Sequence, residues 1–230
     1  MVNLKFRSTE KEILDEPDID FEEIKINMQE LNFINKNLGG HKININGLKE
    51  LIPKNIKEIA ICEIGCGGGD NLFYIDKWCR KNNINASFIG VDIKPACIKF
   101  AKETYPELNA KWITSDYKKM NFLQKPDIIF SSLFCHHFSN EEIIEMIKWM
   151  KTNTNHGLFI NDLQRNLIAY YSIKILTSIF SKSRLVKNDA PLSVARSFKK
   201  ADWLNILKNF NDNFQLKYEW AFRYLIIYKR

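Results

Sequence analysis

Apolar residues change their rhythm near residue 59. Upstream, Phe21, Ile24, Met28, Leu31 and Leu38 recur at helical spacing. Asp18 or Asp20 can cap this segment and Gly39-Gly40 can stop it, which predicts one amphipathic helix over 21–38 before a boundary at Pro53. Downstream, short apolar runs alternate with helical segments. Runs at 59–64, 87–93, 110–115, 127–131 and 157–163 predict strands. Segments 71–81, 95–104 and 139–150 predict helices, the last opened by a capping box of Ser139 and Glu142. Residues 166–180 read as a helix that is apolar on nearly all faces, which predicts burial. A further helix is expected over 201–210. Segments 214–220 and 223–228 alternate like an antiparallel hairpin.

Strands separated by helices imply an α/β fold, a doubly wound sheet with right-handed crossovers. Seven strands are expected, mostly parallel, with the closing hairpin antiparallel. The expected organisation is an N-terminal helical cap over 1–55 and one α/β domain over 56–230. Within it, residues 166–200 form a lid-like insertion, the apolar helix followed by a basic stretch around a loop at 189–193.

Composition narrows the picture. The chain has 230 residues, 45% hydrophobic and 27% charged, which excludes wholesale disorder and suits one domain with a full core. Cys62, Cys66, Cys79, Cys97 and Cys135 form no CxxC pair, and they read as reduced, buried residues of a cytoplasmic protein. The N-terminal twenty residues lack the apolar core of a secretion signal. The most apolar run, Leu167 to Phe180, contains Lys174 and is too short to span a bilayer. The formal net charge is +7, and it sits in the last third: residues 164–230 hold 13 basic and 4 acidic side chains. That surplus raises nucleic acid and an anionic membrane surface as partners.

The strongest chemical signal is Glu63-Ile64-Gly65-Cys66-Gly67-Gly68-Gly69-Asp70, placed between an expected strand and an expected helix. A dinucleotide loop needs glycine at 70, where Asp70 stands, and no Gly-Lys-Ser/Thr phosphate loop is present. A carboxylate just before the glycines repels a pyrophosphate and suits a cation such as an amino group. Asp92, at the end of the second strand, can accept bonds from ribose hydroxyls. Asp116, at the end of the third, can accept from an exocyclic amine, with Tyr117 beside an adenine. The alternative for each acid is an ordinary solvated strand end.

With these residues the chain resembles the class I S-adenosylmethionine-dependent methyltransferases. Glu63, Gly65, Gly67 and Gly69 match the first motif, Asp92 the second and Asp116 the third; Pro126 to Ser132 resembles the fourth. The resemblance covers about residues 59–163 and implies a Rossmann-like fold. It implies S-adenosyl-L-methionine as cofactor, with a site of Glu63, Gly65, Cys66, Gly67, Gly69, Asp92, Ile93, Asp116, Tyr117 and Ser131.

After the fourth strand, Ser131-Ser132-Leu133-Phe134 lacks the proline motif of enzymes that methylate exocyclic amines of bases, so no nucleic-acid partner is expected. The stretch through His136-His137-Phe138, with Asn161 to Arg165, resembles small-molecule methyltransferases acting on quinones and polyketides. Glu12 to Pro17 and Leu38 to His41 resemble bacterial methyltransferases found with type III polyketide synthases. These resemblances imply direct in-line transfer to a lipophilic phenolic or polyketide-derived acceptor. His137 or His136 would act as base, since imidazole titrates near neutrality; the alternative is that one packs under the loop and the other bonds to backbone. Asp162 and Arg165 are candidate substrate contacts, or else a helix cap and a structural ion pair. No metal is expected. Peripheral membrane contact, an RNA methyltransferase using the basic third and a non-catalytic binding module stay open as alternatives.

Overall fold

The computed structural model describes residues 2–230. Five strands lie parallel: β1 (Glu58–Ile64), β2 (Asn85–Asp92), β3 (Ala110–Thr114), β4 (Ile128–Ser132) and β5 (Gly157–Leu163). Two more, β6 (Phe214–Glu219) and β7 (Arg223–Lys229), close the chain as a hairpin, with β7 antiparallel to β5. The sheet order is β3-β2-β1-β4-β5-β7-β6. The order reverses direction between β1 and β4, so a crevice opens at their carboxyl ends, where open α/β sheets take ligands.

The central parallel strands β4 and β5 are buried on both faces, while the edge strand β3 is only partly covered. On one face, helices α2 (Gly40–Leu51) and α3 (Asp70–Lys81) cover Ile61, Phe88, Ile128, Phe130 and Phe159. On the other, α5 (Asn140–Asn153) and α8 (Lys200–Leu207) cover Cys62, Val91, Ile129 and Ile160. The capping box of Ser139 and Glu142 is formed at the start of α5. All five cysteines are buried and unpaired. Helix α1 (Phe21–Asn37), capped by Asp20, lies across the carboxyl end of the sheet. Its Met28 packs on Gly67 and Gly68 and joins Phe100 of α4 (Pro95–Thr104) in a small apolar cluster.

Three expectations need correction. First, the N-terminal region holds two helices, not one. Gly39 ends α1 in a left-handed conformation, and α2 starts at once. Its sequence hid it, because His41 and Asn44 point inward to polar partners and Gly47 replaces an apolar residue where the helix meets Phe159. Second, α6 (Leu167–Phe180) is not buried: of its residues only Ala169 and Thr177 are, and Ile168, Ile179 and Phe180 are at least 65% exposed. Third, 189–193 is no loop. It lies inside α7 (Arg184–Arg196), which accommodates Pro191.

Asp189 explains why α7 takes this course. It is buried on α7, and its two oxygens accept from the amides of Ile13 and Leu14, each at 2.9 Å. These amides open a short 3-10 turn, Ile13–Asp15, so one carboxylate ties the N-terminal segment to α7. Among the described residues, no helix is long and apolar enough to cross a membrane. Asp189→Ala is expected to cost ~1–3 kcal/mol, the scale of charge-assisted hydrogen bonds lost from a buried site. Urea unfolding measures the loss, and faster protease cleavage within 8–16 locates it.

Candidate active site

Two cavities lie at the carboxyl end of the sheet, and the stretch after β4 contributes to both. The first, about 130 Å³, is lined by Gly65, Asp92, Ile93, Ser115, Asp116, Tyr117, Phe134 and Phe138. Asp92 shapes it. Its Oδ2 accepts from the Gly67 amide and its Oδ1 from the Lys94 amide, both at 2.9 Å. The glycine loop is thereby pinned to the end of β2. Burial pushes the Asp92 carboxyl above its ordinary range, against the pull of these two amides. Asp116 caps the turn Tyr117–Lys119 through the Lys118 amide at 3.0 Å. Tyr117 forms the buried side of the cavity, with Phe134, Phe138 and Trp149 against its ring edge-on.

Glu63 ends β1 fully buried. Its Oε1 accepts from Asn71 at 2.7 Å, while Oε2 has no partner. Burial raises this carboxyl well above the usual range. Asn71 continues inward: its Oδ1 meets His41 Nδ1 at 3.0 Å and accepts from Asn44 at 2.8 Å, and Asn161 donates to Asn44 at 2.8 Å. This network joins β1, α2, α3 and β5. It was not legible beforehand, since its members stand in four separate elements.

The second cavity, about 300 Å³, is mostly apolar. Leu31, Ile34 and Leu38 of α1 face Ile173 and Leu176 of α6, and Trp220 and Phe222 close one side. A neighbouring cavity of about 240 Å³ shares Ile34, Leu38, Ile173 and Leu176 with it and runs out to Phe33 and Phe180, so the two form an apolar trough between α1 and α6. The inner end is polar, with Glu12, His136 and His137. His136 is 3% exposed, and its Nδ1 lies 2.8 Å from Asp162 Oδ1. Burial works to raise the Asp162 carboxyl, but His136 and the Leu163 amide outweigh it and hold it below the usual range. His137 places Nδ1 3.1 Å from Asp15 Oδ1. Burial pushes Glu12 up to about 7 despite His137 and a Ser193 hydroxyl bond.

The residues singled out in the sequence divide accordingly. Gly65, Asp92, Ile93, Asp116 and Tyr117 surround the smaller cavity; His136 and His137 line the larger. Glu63, Cys66 and Gly69 stand behind the loop, with Gly69 packed on the Trp112 indole. Ser131 is fully buried, its hydroxyl 3.7 Å from Cys135 Sγ, and borders neither cavity. Asp162 acts through His136. Arg165 is a structural residue, donating to Leu4 and Ser197 carbonyls and to Asp202, and it reaches no cavity. Glu12, Asp15 and Arg196 were missed. Arg196 donates to the carbonyls of His136 and His137, at 3.2 and 3.1 Å, and holds that turn in place. Their only signal was the N-terminal stretch around Glu12, read as a resemblance and not as chemistry.

Phe134 lines the smaller cavity, its ring against Gly65, and its neighbour Leu133 lines the larger. Gly65 has φ +65°, and a Cβ there would lie 2.3 Å from the ring. Gly65→Ala is therefore expected to displace Phe134 and to cost ~1–3 kcal/mol from overpacking and left-handed strain. Chemical denaturation gives the cost, and the near-ultraviolet circular dichroism of the aromatic cluster reports the displacement.

Known proteins resemble the chain in sequence and in fold. Residues 61–157 match a family described as a methyltransferase domain. Over 122 residues the chain is 32% identical to protein 235L of Invertebrate iridescent virus 6, which carries a methyltransferase name; the match covers 46% of this chain and 43% of that one. Over 178 residues it is 28% identical to the mitochondrial ubiquinone biosynthesis O-methyltransferase of Saccharomyces cerevisiae, covering 73% of this chain and 53% of that one. The chain thus matches about half the length of each of these relatives. The plantazolicin methyltransferase BpumL, solved in complex with SAH, superimposes with a TM-score of 0.67 at 19% identity, over 94% of this chain and 92% of that one. The magnesium protoporphyrin IX methyltransferase of Synechocystis PCC 6803, solved with bound SAH, gives 0.54 at 15% identity, over 95% and 90%. The chain has the Rossmann-like α/β fold of the methyltransferases it superimposes on, and residues 61–157 match the methyltransferase-domain family.

Proposed function

We propose that the protein is an S-adenosylmethionine-dependent methyltransferase acting on a lipophilic small molecule, of phenolic or polyketide-derived type. The observation that carries this reading is that one short stretch after β4 lines both cavities, Phe134 and Phe138 the smaller, Leu133, His136 and His137 the larger. One is bounded by strand-end carboxylates and a glycine loop, the other is an apolar trough with a polar inner end.

The residues of the first cavity fit the cofactor. Asp92 and Asp116 offer acceptors at consecutive strand ends, for a ribose and an exocyclic amine. Glu63 Oε2, buried and unpartnered, is the kind of group that a cofactor's ammonium would satisfy. The close approach at Gly65 and Gly67 leaves backbone where a side chain would block. When bound, S-adenosylmethionine supplies a methyl group carried on a sulfonium.

On the acceptor side, the trough would take the apolar body and exclude water, while Glu12, His136 and His137 face its reacting end. Glu12 Oε2 and His137 Nε2 face each other there at 3.8 Å. In-line placement at this point supplies much of the rate, since orientation replaces a bimolecular encounter. Support also comes from the relatives, whose names associate them with plantazolicin, magnesium protoporphyrin IX and ubiquinone biosynthesis. The basic third gives the RNA alternative little support. Arg165, Arg196 and Arg223 are buried, and Arg184 pairs with Glu23 at 2.8 Å.

Titration calorimetry with S-adenosylmethionine tests the reading: one molecule should bind per chain, and no binding overturns it. Asp92→Ala should weaken that binding roughly 10–100-fold, about 1–3 kcal/mol, because it removes a ribose acceptor and unpins the glycine loop.

A further inference from the structure

We infer that Glu12, His136 and His137 form a binding site for a divalent transition-metal ion, Zn²⁺ by preference, at the inner end of the apolar cavity. The use made of the ion rests on the reading of that cavity as the acceptor's; the site itself rests on the three side chains.

The donors converge. Among the described residues, these three bring one ligand atom each within 4.8 Å of one another. His136 Nε2 lies 3.5 Å from Glu12 Oε1, and His137 Nε2 lies 3.8 Å from Glu12 Oε2. Both separations are longer than ordinary hydrogen bonds. They are close to the spacing of ligands around a tetrahedral Zn²⁺, about 3.4 Å for metal–ligand distances of about 2.1 Å.

The tautomers favour a cation as well. Asp162 accepts a hydrogen bond from His136 Nδ1, and Asp15 stands at His137 Nδ1. Each imidazole then turns a bare Nε2 lone pair toward an oxygen of Glu12. Lone pairs facing one another in a buried site repel unless something positive lies between them. A carboxylate behind each imidazole is the arrangement by which metal-binding histidines are oriented and made more basic.

Charge points the same way. Glu12, Asp15, Asp162 and Asp189 touch this cluster or the backbone that carries it, as do Arg7 and Arg196. Acidic side chains outnumber basic ones among these six, which suits a cation. Two imidazoles and a carboxylate suit Zn²⁺ better than Mg²⁺ or Ca²⁺, which prefer oxygen. Three protein ligands leave a fourth position, and the cavity opens on it. An oxygen of the acceptor would be held there, beside the wall formed by Leu133 and Phe134.

The test uses the full chain, freed of metal with a chelator and titrated with Zn²⁺ by calorimetry. One ion should bind per chain. Glu12→Gln and His137→Ala should each weaken binding at least tenfold. Asp162→Asn, which leaves all three ligands present, should weaken it about 10–100-fold. Glu12→Gln keeps size and shape, and its thermal unfolding without metal should match the parent's, which separates a lost ligand from a lost fold. A Co²⁺ titration of the unsubstituted protein reads the donors independently, and its absorption should lack a thiolate charge-transfer band. No Zn²⁺ uptake overturns the inference, as does uptake that Glu12→Gln and His137→Ala leave unchanged, or Co²⁺ held by thiolate. S-adenosylmethionine calorimetry on the same sample keeps the two readings apart. Zn²⁺ binding without cofactor binding upholds the metal site and removes only the enzymatic reading.

Discussion

The arrangement around the inner cavity depends on one buried carboxylate, Asp162. It sits at the end of β5 with no exposure, where an isolated charge would be driven neutral. It stays ionised because the His136 ring, the His136 amide and the Leu163 amide all point at it. That fixes the turn Cys135–His137 against β5. The outward carbonyls of the turn are then fixed too, and two arginines use them. Arg196 of α7 reaches the carbonyls of His136 and His137, and Arg7 of the N-terminal segment reaches that of Phe138 at 2.8 Å. Segments from both ends of the chain are thereby built onto one strand end.

The same logic, with neutral groups, runs on the opposite side of the sheet. There Glu63, Asn71, His41, Asn44, Ser132 and Asn161 satisfy one another in a buried chain of hydrogen bonds. Such a network tolerates little rearrangement, since a broken member leaves its neighbours unsatisfied in a low-dielectric interior. It accounts for a helix, α2, with two asparagines and a histidine in a twelve-residue span, yet seven buried positions. The glycine loop lies between this network and the Asp92 carboxylate, held from behind and from the side.

How much of this was legible follows from where each signal lives. The strands β1 to β5 and helices α3 to α5 declare themselves because local periodicity and global burial coincide. Segment 157–163 opens with the apolar run Leu158-Phe159-Ile160 and is a strand buried on both faces; 95–104 has helical spacing and a proline at its first turn. Asp92 and Asp116 were legible for the same reason, since a strand end is a local feature with a known direction. Helix α2 was not, because its inward face is polar and only tertiary partners make that favourable. Helix α6 misled in the opposite sense. Apolar residues all round predict burial when protein surrounds a helix, but α6 borders a cavity on one side and is exposed on others. Glu12 was hidden by distance along the chain: nothing near it in sequence links it to His136, and only the course of α7 through Asp189 brings the two together.

The surplus of positive charge in the last third changes meaning once its residues are placed. Net charge speaks of partners when the cations lie on a surface where a field can act. Here Arg165 binds two carbonyls and Asp202, Arg196 binds three carbonyls and Asp15, and Arg223 holds Asn35 from inside the protein. Guanidinium suits this work, because its fixed fork of donors can satisfy several carbonyls at chain crossings that no sheet or helix ladder serves. Lysine, a point charge on a flexible stem, occupies the outer positions 182, 187, 199 and 200, all exposed. Arg184 and Arg230 lie outside with the lysines, so the inner work falls to Arg165, Arg196 and Arg223. These three are structural counterparts of the carboxylates at the strand ends, joining distant parts of the chain to the sheet.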